Sequence, residues 1–196
     1  AASDVYKRQT IILADGDFPS HPLALEWLRQ CPYVVCCDGA ANTYIRSGRM
    51  PEAIVGDGDS LLPDIKERYA SLIHSEAEQE TNDLSKAFRF CLSQERKRIT
   101  IMGATGKRED HTIGNVSLLA DYMEQAEVSM MTDYGIFVPI REDSMFESYI
   151  GQQISVFNMN STALSAEGLA YPLSVFTNWW QGTLNEALAR HFIIRT

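Results

Sequence analysis

Residues 54–60, Ile-Val-Gly-Asp-Gly-Asp-Ser, form the stretch of this chain best suited to chemistry. A short apolar run ends at Gly56, and carboxylates follow at Asp57 and Asp59. In an extended or turning segment this spacing aims both acids at one point, which the glycines leave uncrowded. Because facing carboxylates repel each other, a divalent cation with oxygen ligands is a natural occupant of that point. An ordinary polar turn explains the heptapeptide equally well.

Apolar runs that alternate with helical patterns place this stretch at the end of a strand. Unbroken apolar strands separated by helices predict a parallel sheet that is covered on both faces. Such sheets bind ligands outside the carboxyl ends of their strands. Chemistry-bearing residues follow four predicted strands at that edge: Asp15, Asp38, Asp57 and Gly103. The predicted strands are 10–14, 33–37, 53–55 and 98–102, and the predicted helices are 22–30, 40–47, 63–72, one from 82 onward, and 112–123.

The pattern changes after about residue 127 to short strand-like runs separated by turn residues. This spacing predicts an antiparallel β-sandwich. We therefore expect an α/β domain over residues 10–125 and a β-sandwich domain over 126–196. Residues 1–9 show no periodicity and are interpreted as a non-native leader. The predicted strands of the second part are 128–132, 136–140, 145–150, 153–157, 174–177 and 192–194.

Composition and charge limit the possible functions. The chain has 196 residues, of which 45% are hydrophobic, and a formal net charge of −9. This charge disfavours non-specific binding to nucleic acid or to an anionic membrane, and it requires a local cationic site for any anionic substrate. The four cysteines form no CxxC pair, which indicates reduced thiols and a cytoplasmic protein. No segment reaches transmembrane length.

Further acids and one lysine lie where strands end or helices begin. Asp38 either holds a metal or a substrate hydroxyl, or it caps the following helix. Asp83 is favourable at a helix N-terminus, whose dipole attracts negative charge. Lys86, one turn later, either pairs with Asp83 on the surface or reaches a phosphate.

A glycine-containing loop over residues 103–111 offers backbone N–H groups and a helix N-terminus to an anion. Its spacing matches neither the P-loop nor the dinucleotide-binding pattern. Arg108 provides a fork suited to phosphate oxygens. His111 is either a general base or a helix-start residue bonded to Asp110. In the C-terminal part, residues 179 and 180 are both tryptophan. They either stack on a planar ring of a ligand, or they belong to the core or to a subunit interface.

Together, these groups are suited to bind a metal ion, a polyphosphate and an organic acceptor. Bringing a triphosphate of charge about −4 to three bare aspartates costs several kcal/mol in a partly desolvated cleft. A metal ion is therefore required by this interpretation.

The order of these motifs resembles the thiamine pyrophosphokinase family of the bacterial type. The family pattern has an Asp-Gly pair after the second strand, an IVGD-x-DS stretch, a T/N-D-[LF]-x-K helix start and a GA-x-GGR-x-DH loop. Two later segments resemble the family's GLKYPL and G-[TI]-SNE. The corresponding residues here are 38–42, 54–60, 82–86, 103–111, 168–173 and 182–186.

The resemblance implies an ATP-binding α/β domain, a β-sandwich, and a homodimer with active sites between subunits. It implies transfer of the pyrophosphoryl group of ATP to the thiamine hydroxyl, which gives thiamine diphosphate and AMP. It assigns Mg²⁺ to Asp57, Asp59 and Asp83, and adds Asp38 and Arg108 to these as catalytic residues. The implied contacts to ATP or the acceptor are Asn42, Gln79, Lys86, Gly103, Thr105, Asp110 and His111, and the implied thiamine contacts are Trp180, Thr183 and Asn185.

Three positions depart from the family pattern. Lys107 replaces the second glycine of GGR, Leu184 replaces a serine, and Ala170 replaces the lysine of GLKYPL. The alternative functions are a Mg²⁺-dependent phosphohydrolase, a different pyrophosphokinase, and a non-catalytic nucleotide- or thiamine-binding module.

Overall fold

The computed structural model describes residues 9–76 and 78–196, and the chain forms two compact units, Ala1–Pro139 and Ile140–Thr196. The leader predicted for residues 1–9 lies outside the described residues, apart from Gln9. The boundary between the units falls later than the predicted position near residue 125. The reason is that two strands beyond that point, Glu127–Met131 and Ile136–Phe137, complete the sheet of the first unit.

A seven-stranded sheet with the order β4-β3-β2-β1-β5-β6-β7 forms the centre of the first unit. All neighbouring strands run parallel except β6 and β7. The carboxyl ends of the parallel strands therefore meet at one edge, as the sequence predicts. The strands are β1 Thr10–Leu13, β2 Val34–Cys37, β3 Ala53–Val55, β4 Ile73–His74, β5 Arg98–Met102, β6 Glu127–Met131 and β7 Ile136–Phe137.

Successive strand residues point to opposite faces of this sheet, and helices bury both faces. Ile11 and Leu13 belong to one apolar cluster, and Ile12 and Ala14 belong to another. The first cluster also contains residues of α1, α2 and α3, and the second contains residues of α4 and α5. No described helix is long and apolar enough to cross a membrane. The helices are α1 Pro22–Gln30, α2 Ala40–Arg46, α3 Pro63–Arg68, α4 Asp83–Ser93 and α5 Glu109–Tyr122.

The second unit consists of two antiparallel sheets, with the orders β10-β12-β8 and β11-β9. Phe146 and Phe192 of the first sheet share an apolar cluster with Ile154 of the second, so the sheets have a common core. The predicted fold class is thus confirmed. The strand predicted at 174–177 is absent, since Phe176 has φ +50° and interrupts extended backbone. The strands are β8 Ser144–Glu147, β9 Gln153–Ile154, β10 Ser165–Glu167, β11 Asn185–Glu186 and β12 His191–Arg195.

The carboxylate of Asp133, which follows β6, binds the residues that start α1. It accepts hydrogen bonds from the Ser20 N–H at 2.9 Å, the Ser20 hydroxyl at 2.7 Å and the His21 N–H at 2.9 Å. His21 is also the N-cap residue of α1. These hydrogen bonds lower the pKa of Asp133, and the bond from the His21 N–H has the largest effect. A long-range contact therefore fixes the loop between β1 and α1.

We predict that Asp133→Asn lowers the free energy of unfolding at pH 7 by about 1 kcal/mol, because hydrogen bonds to an ionised carboxylate are stronger than those to a neutral amide. Because the folded-state pKa of Asp133 is depressed, its contribution is fully present above the unfolded-state pKa and is lost as pH falls through the folded-state pKa. The difference between the variant and the native protein should therefore shrink below about pH 4. Urea unfolding between pH 7 and pH 2 measures it, and a difference independent of pH would contradict the prediction.

Candidate functional site

Asp38 and Asp83 both lie close to Gly56, at the carboxyl edge of the sheet. A Cβ atom placed on Gly56 would lie 2.9 Å from Asp38 Cβ and 3.4 Å from Asp83 Oδ2. Gly56 follows β3, Asp38 follows β2, and Asp83 begins α4. The missing side chain of Gly56 therefore makes room for two acids that come from separate elements.

The loop after β3 is held by two side chains of neighbouring elements. The Ser60 N–H donates to Asp38 Oδ2 at 3.1 Å. The Asn42 amide donates to the Ser60 carbonyl at 2.8 Å and accepts the Leu62 N–H at 3.0 Å. Asn42, to which the sequence assigned a ligand contact, thus uses its amide here to hold the loop that carries Asp57.

Asp38 has the most unusual environment among the acids of the site. Its backbone has φ +35°, a conformation that costs energy for a residue with a side chain. The residue is only 4% exposed, and its Oδ1 atom is buried without a hydrogen-bond partner. Burial raises the pKa of Asp38, the charges of Asp57 and Asp83 raise it further, and the Ser60 N–H opposes the shift. A cation or a proton at Oδ1 would satisfy this carboxylate.

The chemistry of the donor set suits a hard divalent cation, which prefers carboxylate oxygens. Asp57 and Asp59 are exposed, and Asp57 Oδ1 accepts the Asp59 N–H at 3.0 Å. Within residues 9–76 and 78–196, no three His, Cys, Asp or Glu side chains are close enough together to hold a metal as they stand. The orphaned oxygen of Asp38 and the charges of Asp57 and Asp83 near it are the features of the site that suit such an ion.

Lys86 is a buried cation at this site, whereas one of the two interpretations of the sequence was a pair exposed on the surface. It is 4% exposed, and its Nζ atom lies 3.5 Å from Asp83 Oδ1. A buried ammonium without a partner is costly, so the pair orients the carboxylate of Asp83.

The glycine-containing loop after β5 is joined to the loop after β1 by backbone hydrogen bonds. The Gly16 N–H donates to the Gly103 carbonyl at 2.6 Å, and the Asp17 N–H donates to the Thr105 carbonyl at 2.9 Å. Gly103 has φ +68°, and a Cβ atom there would lie 2.6 Å from the Ala14 carbonyl oxygen. Glycine is therefore required at this close approach of two loops.

The two cations of this loop are each bound to an aspartate. Lys107 Nζ donates to the Asp15 carbonyl at 2.8 Å and lies 3.6 Å from Asp15 Oδ1. Arg108 binds Asp110 through Nε at 3.1 Å and Nη2 at 2.6 Å. Asp110 also accepts the backbone N–H of His111, whose ring is exposed. An anion that binds here would compete with these carboxylates for both cations.

Asn115 is a residue of the site that the sequence analysis missed. Its amide donates to the Ala104 carbonyl at 2.9 Å and accepts from the Asn82 amide at 3.2 Å. Asn82 in turn caps α4 by accepting the Ser85 N–H at 2.9 Å. This chain of bonds ties the glycine-containing loop to the helix start that carries Asp83. An asparagine within a helix gives no sequence signal for such a role.

The predicted thiamine contact Asn185 is buried in the second unit and binds the backbone of Tyr171. Its amide donates to the Tyr171 carbonyl at 2.8 Å, and its Oδ1 accepts the Tyr171 N–H at 3.0 Å. Asn185 is 3% exposed. Both ends of the amide thus hold the segment that resembles GLKYPL.

Replacing Asn185 by alanine should therefore lower the free energy of unfolding by about 1–3 kcal/mol, because the N–H and carbonyl of Tyr171 and the N–H of Glu186 lose their partner. Chemical denaturation measures the loss. Asn160→Ala removes the same amide at an exposed position of the same unit and should leave stability within about 0.5 kcal/mol. Equal stabilities of the two variants would show that the bonds of Asn185 contribute nothing specific.

The remaining predicted thiamine contacts lie on the surface of the second unit. Trp180 is 72% exposed, and Trp179 makes an edge contact with Phe157 at 6.1 Å between ring centroids. The Thr183 hydroxyl donates to the Trp180 carbonyl at 2.6 Å and so closes the short 3-10 turn that presents this ring. Trp180 is the more exposed of the two rings, since Trp179 is 53% exposed.

Models of two protein-family domains match the chain. "Thiamin pyrophosphokinase, catalytic domain" matches residues 24–131, and "Thiamin pyrophosphokinase, substrate-binding domain" matches residues 135–196. Together the two matches include every acid of the candidate metal site and every predicted thiamine contact.

Individual relatives agree with the family match. The Oryza sativa subsp. japonica protein named thiamine pyrophosphokinase 1 is 30% identical over 129 residues, which cover 53% of this chain and 49% of that protein. The thiamine pyrophosphokinase of Bacillus subtilis (strain 168) is 34% identical over 86 residues, which cover 42% of this chain and 40% of that protein. The chain spans about half the length of the curated relatives that it matches first.

Solved structures share the fold along nearly the whole chain. The thiamin pyrophosphokinase of Candida albicans gives a TM-score of 0.73 at 20% identity and covers 97% of this chain and 87% of its own. The thiamine pyrophosphokinase of Bacillus subtilis gives a TM-score of 0.68 at 20% identity, and the match covers 95% of this chain and 93% of that one.

Proposed function

The chain belongs to the thiamin pyrophosphokinase family, and from that premise we propose that it transfers the pyrophosphoryl group of ATP to the hydroxyl of thiamine. The products are thiamine diphosphate and AMP. The observation that carries the proposal is the position of Asp38 and Asp83 beside Gly56, at the edge where the glycine-containing loop presents its cations. This arrangement brings carboxylates that suit a metal ion, and cationic side chains that suit phosphates, to one edge of the sheet.

We assign Mg²⁺ to Asp57, Asp59 and Asp83 as part of this proposal. When bound, the ion would neutralise negative charge on the phosphates. The charges of Asp57 and Asp83 act together on the buried carboxylate of Asp38, which supports a cation among these acids.

The residues of this chain bind and orient the reactants. The thiamine oxygen forms a bond to the β-phosphorus, the bond from that phosphorus to the oxygen of the α-phosphate breaks, and AMP leaves. Arg108 releases Asp110 and binds the phosphate oxygens, and the N–H groups of the loop over residues 103–108 bind the same anion. Asp38, whose pKa is raised chiefly by burial, accepts the hydroxyl proton. Catalysis of this kind is largely positioning and electrostatic stabilisation.

The acceptor side of the proposal involves the second unit and a second copy of the chain. Trp180 stacks on thiamine, Thr183 holds the turn that presents it, and Asn185 holds the adjoining segment. Around an open groove of about 730 Å³, Met145, Tyr149 and Ile150 are 67–72% exposed, which supports a homodimer formed through this unit. The free, mostly buried cysteines support a cytoplasmic location.

Incubation of the protein with ATP, thiamine and Mg²⁺ tests the proposal. We expect AMP and thiamine diphosphate in equal amounts, with no AMP when thiamine is omitted. Release of free phosphate would indicate a phosphohydrolase, and AMP formation only with another acceptor would indicate a different pyrophosphokinase. Binding of both ligands without turnover would indicate a non-catalytic module.

A further inference from the structure

The loop between β4 and α4 concentrates negative charge next to the candidate site. Residues 75–82 include Glu76, Glu78 and Glu80 and contain no lysine or arginine. The loop also carries Gln79, a proposed ligand contact, and it leads directly into Asp83. An acidic loop of this kind repels a polyphosphate and repels itself, so its conformation depends on a cation supplied from elsewhere.

Arg89, which lies on α4 beyond Asp83 and Lys86, supplies that cation. Its Nη2 atom donates to Glu76 Oε2 at 2.7 Å, to Glu78 Oε2 at 3.0 Å and to Thr81 Oγ1 at 3.1 Å. One guanidinium therefore joins three residues from the beginning, the middle and the end of the loop.

Glu78 extends this contact to the start of α4. It accepts the Thr81 N–H at 2.7 Å and the Thr81 hydroxyl at 2.6 Å. Thr81 precedes Asn82, which caps α4 and reaches Asn115. A continuous set of bonds thus runs from Arg89 through the loop to the helix start that orients Asp83.

We propose that Arg89 is a positioning residue for the pyrophosphoryl transfer, because its guanidinium holds the β4–α4 loop in the conformation that presents Gln79 and Asp83. The inference rests on the proposed function. Arg89 contacts no reacting atom in this proposal and acts through Glu76, Glu78 and Thr81. It also offsets the charge of two carboxylates of the loop, Glu76 and Glu78.

A surface ion pair without function is the alternative, since exposed pairs usually contribute little to stability. The Arg89 side chain is 43% exposed. What separates the two explanations is the effect on the loop, because a positioning role changes loop order and catalysis while global stability stays nearly constant.

The kinetic test compares Arg89→Met with Arg98→Met. Arg98 is also paired with a glutamate, Glu127, at 3.0 Å, but it lies at the opposite, amino end of β5. We expect Arg89→Met to lower kcat/KM for MgATP by about 10- to 100-fold, the range expected when catalytic groups are misplaced. Arg98→Met should change it less than about twofold, and Arg89→Lys should recover part of the loss. Equal kinetics of Arg89→Met and Arg98→Met would overturn the proposal.

A double variant tests the route through Glu78. If Arg89 acts through Glu78, Glu78→Gln combined with Arg89→Met should be no slower than Arg89→Met alone, since the pair is already broken. Multiplied losses in the double variant would show that the two residues act independently, and would overturn the proposed route.

A proteolysis test needs no catalytic activity and so separates this inference from the proposed function. A glutamate-specific endoprotease should cut Arg89→Met after Glu76, Glu78 or Glu80 about 10-fold faster than the native protein, because cleavage follows local opening. Cleavage after the exposed Glu142 serves as the internal reference. Unchanged cleavage of the loop would overturn the inference even in an active enzyme. If Arg89→Met is cut faster but the native protein forms no AMP from ATP and thiamine, the loop contact is supported and the proposed function is rejected.

Discussion

Replacing Asp83 by asparagine is expected to lower kcat for AMP formation by about 100- to 1000-fold, a loss typical of removing one preorganised electrostatic group. Asp83 and Asp38 both lie against Gly56, and Asp83 is assigned to the metal site, so the variant removes one negative charge from the proposed ligand set. The Mg²⁺ concentration needed for half-maximal activity should rise as well. Initial rates measured across a Mg²⁺ titration give both quantities.

Asparagine keeps an oxygen near the buried Lys86 but removes the charge that offsets its ammonium, so some stability is lost as well. Rates are therefore compared at a temperature at which unfolding curves show the variant to be folded. Asp121→Asn, a change of the same charge near the far end of α5, is the matched control and should keep at least half of the native rate. Full Mg²⁺-dependent turnover by Asp83→Asn would remove Asp83 from the proposed catalytic residues.

Gly56→Ala should abolish most activity and also destabilise the first unit by about 2–4 kcal/mol. Gly56 has φ +149°, which residues with a Cβ rarely adopt. The added methyl group would meet Asp38 Cβ at 2.9 Å and Asp83 Oδ2 at 3.4 Å, so the two acids would be pushed apart. A rate loss of more than about 100-fold follows from their displacement.

The variant Gly48→Ala separates the effect of backbone strain from the effect of crowding by the added Cβ atom. Gly48 has φ +90°, but a Cβ atom there would meet nothing within 4 Å. This control should lose about 1 kcal/mol of stability and keep its activity. Unfolding midpoints and initial rates of both variants test the argument, and an active Gly56→Ala would show that the space beside Gly56 is not needed.

The position of the candidate site is predictable from the amino-acid sequence because two simple rules apply to it. Unbroken apolar runs such as Val34–Cys37 indicate strands buried on both faces, and ligands bind where such parallel strands end. These rules assign Asp38 and Gly56 to the same edge of the sheet, since each follows such a strand. The metal, phosphate and thiamine assignments remain predictions.

Other features depended on long-range contacts that local patterns do not encode. The bond from Asn115 to Ala104 and the bonds from Asn42 to the loop after β3 join residues that periodicity cannot relate. In the second unit, β10 and β11 have only three and two residues, too few for an alternating pattern to be recognised. Phe176, with its positive φ, ended a run that composition alone predicted to be a strand.

The central place of β1 in the sheet has a consequence for synthesis of the protein. β1 pairs with β2 and also with β5, so Leu13 is paired in register with both Cys36 and Met102. A nascent chain can form the half of the sheet from β1 to β4 early, but β1 keeps an unpaired edge until residue 102 has left the ribosome. The acidic edge assembles in the same order, with Asp38, Gly56 and Asp83 made before the glycine-containing loop. We therefore expect a chain truncated before β5 to expose a hydrophobic strand edge and to depend on chaperones.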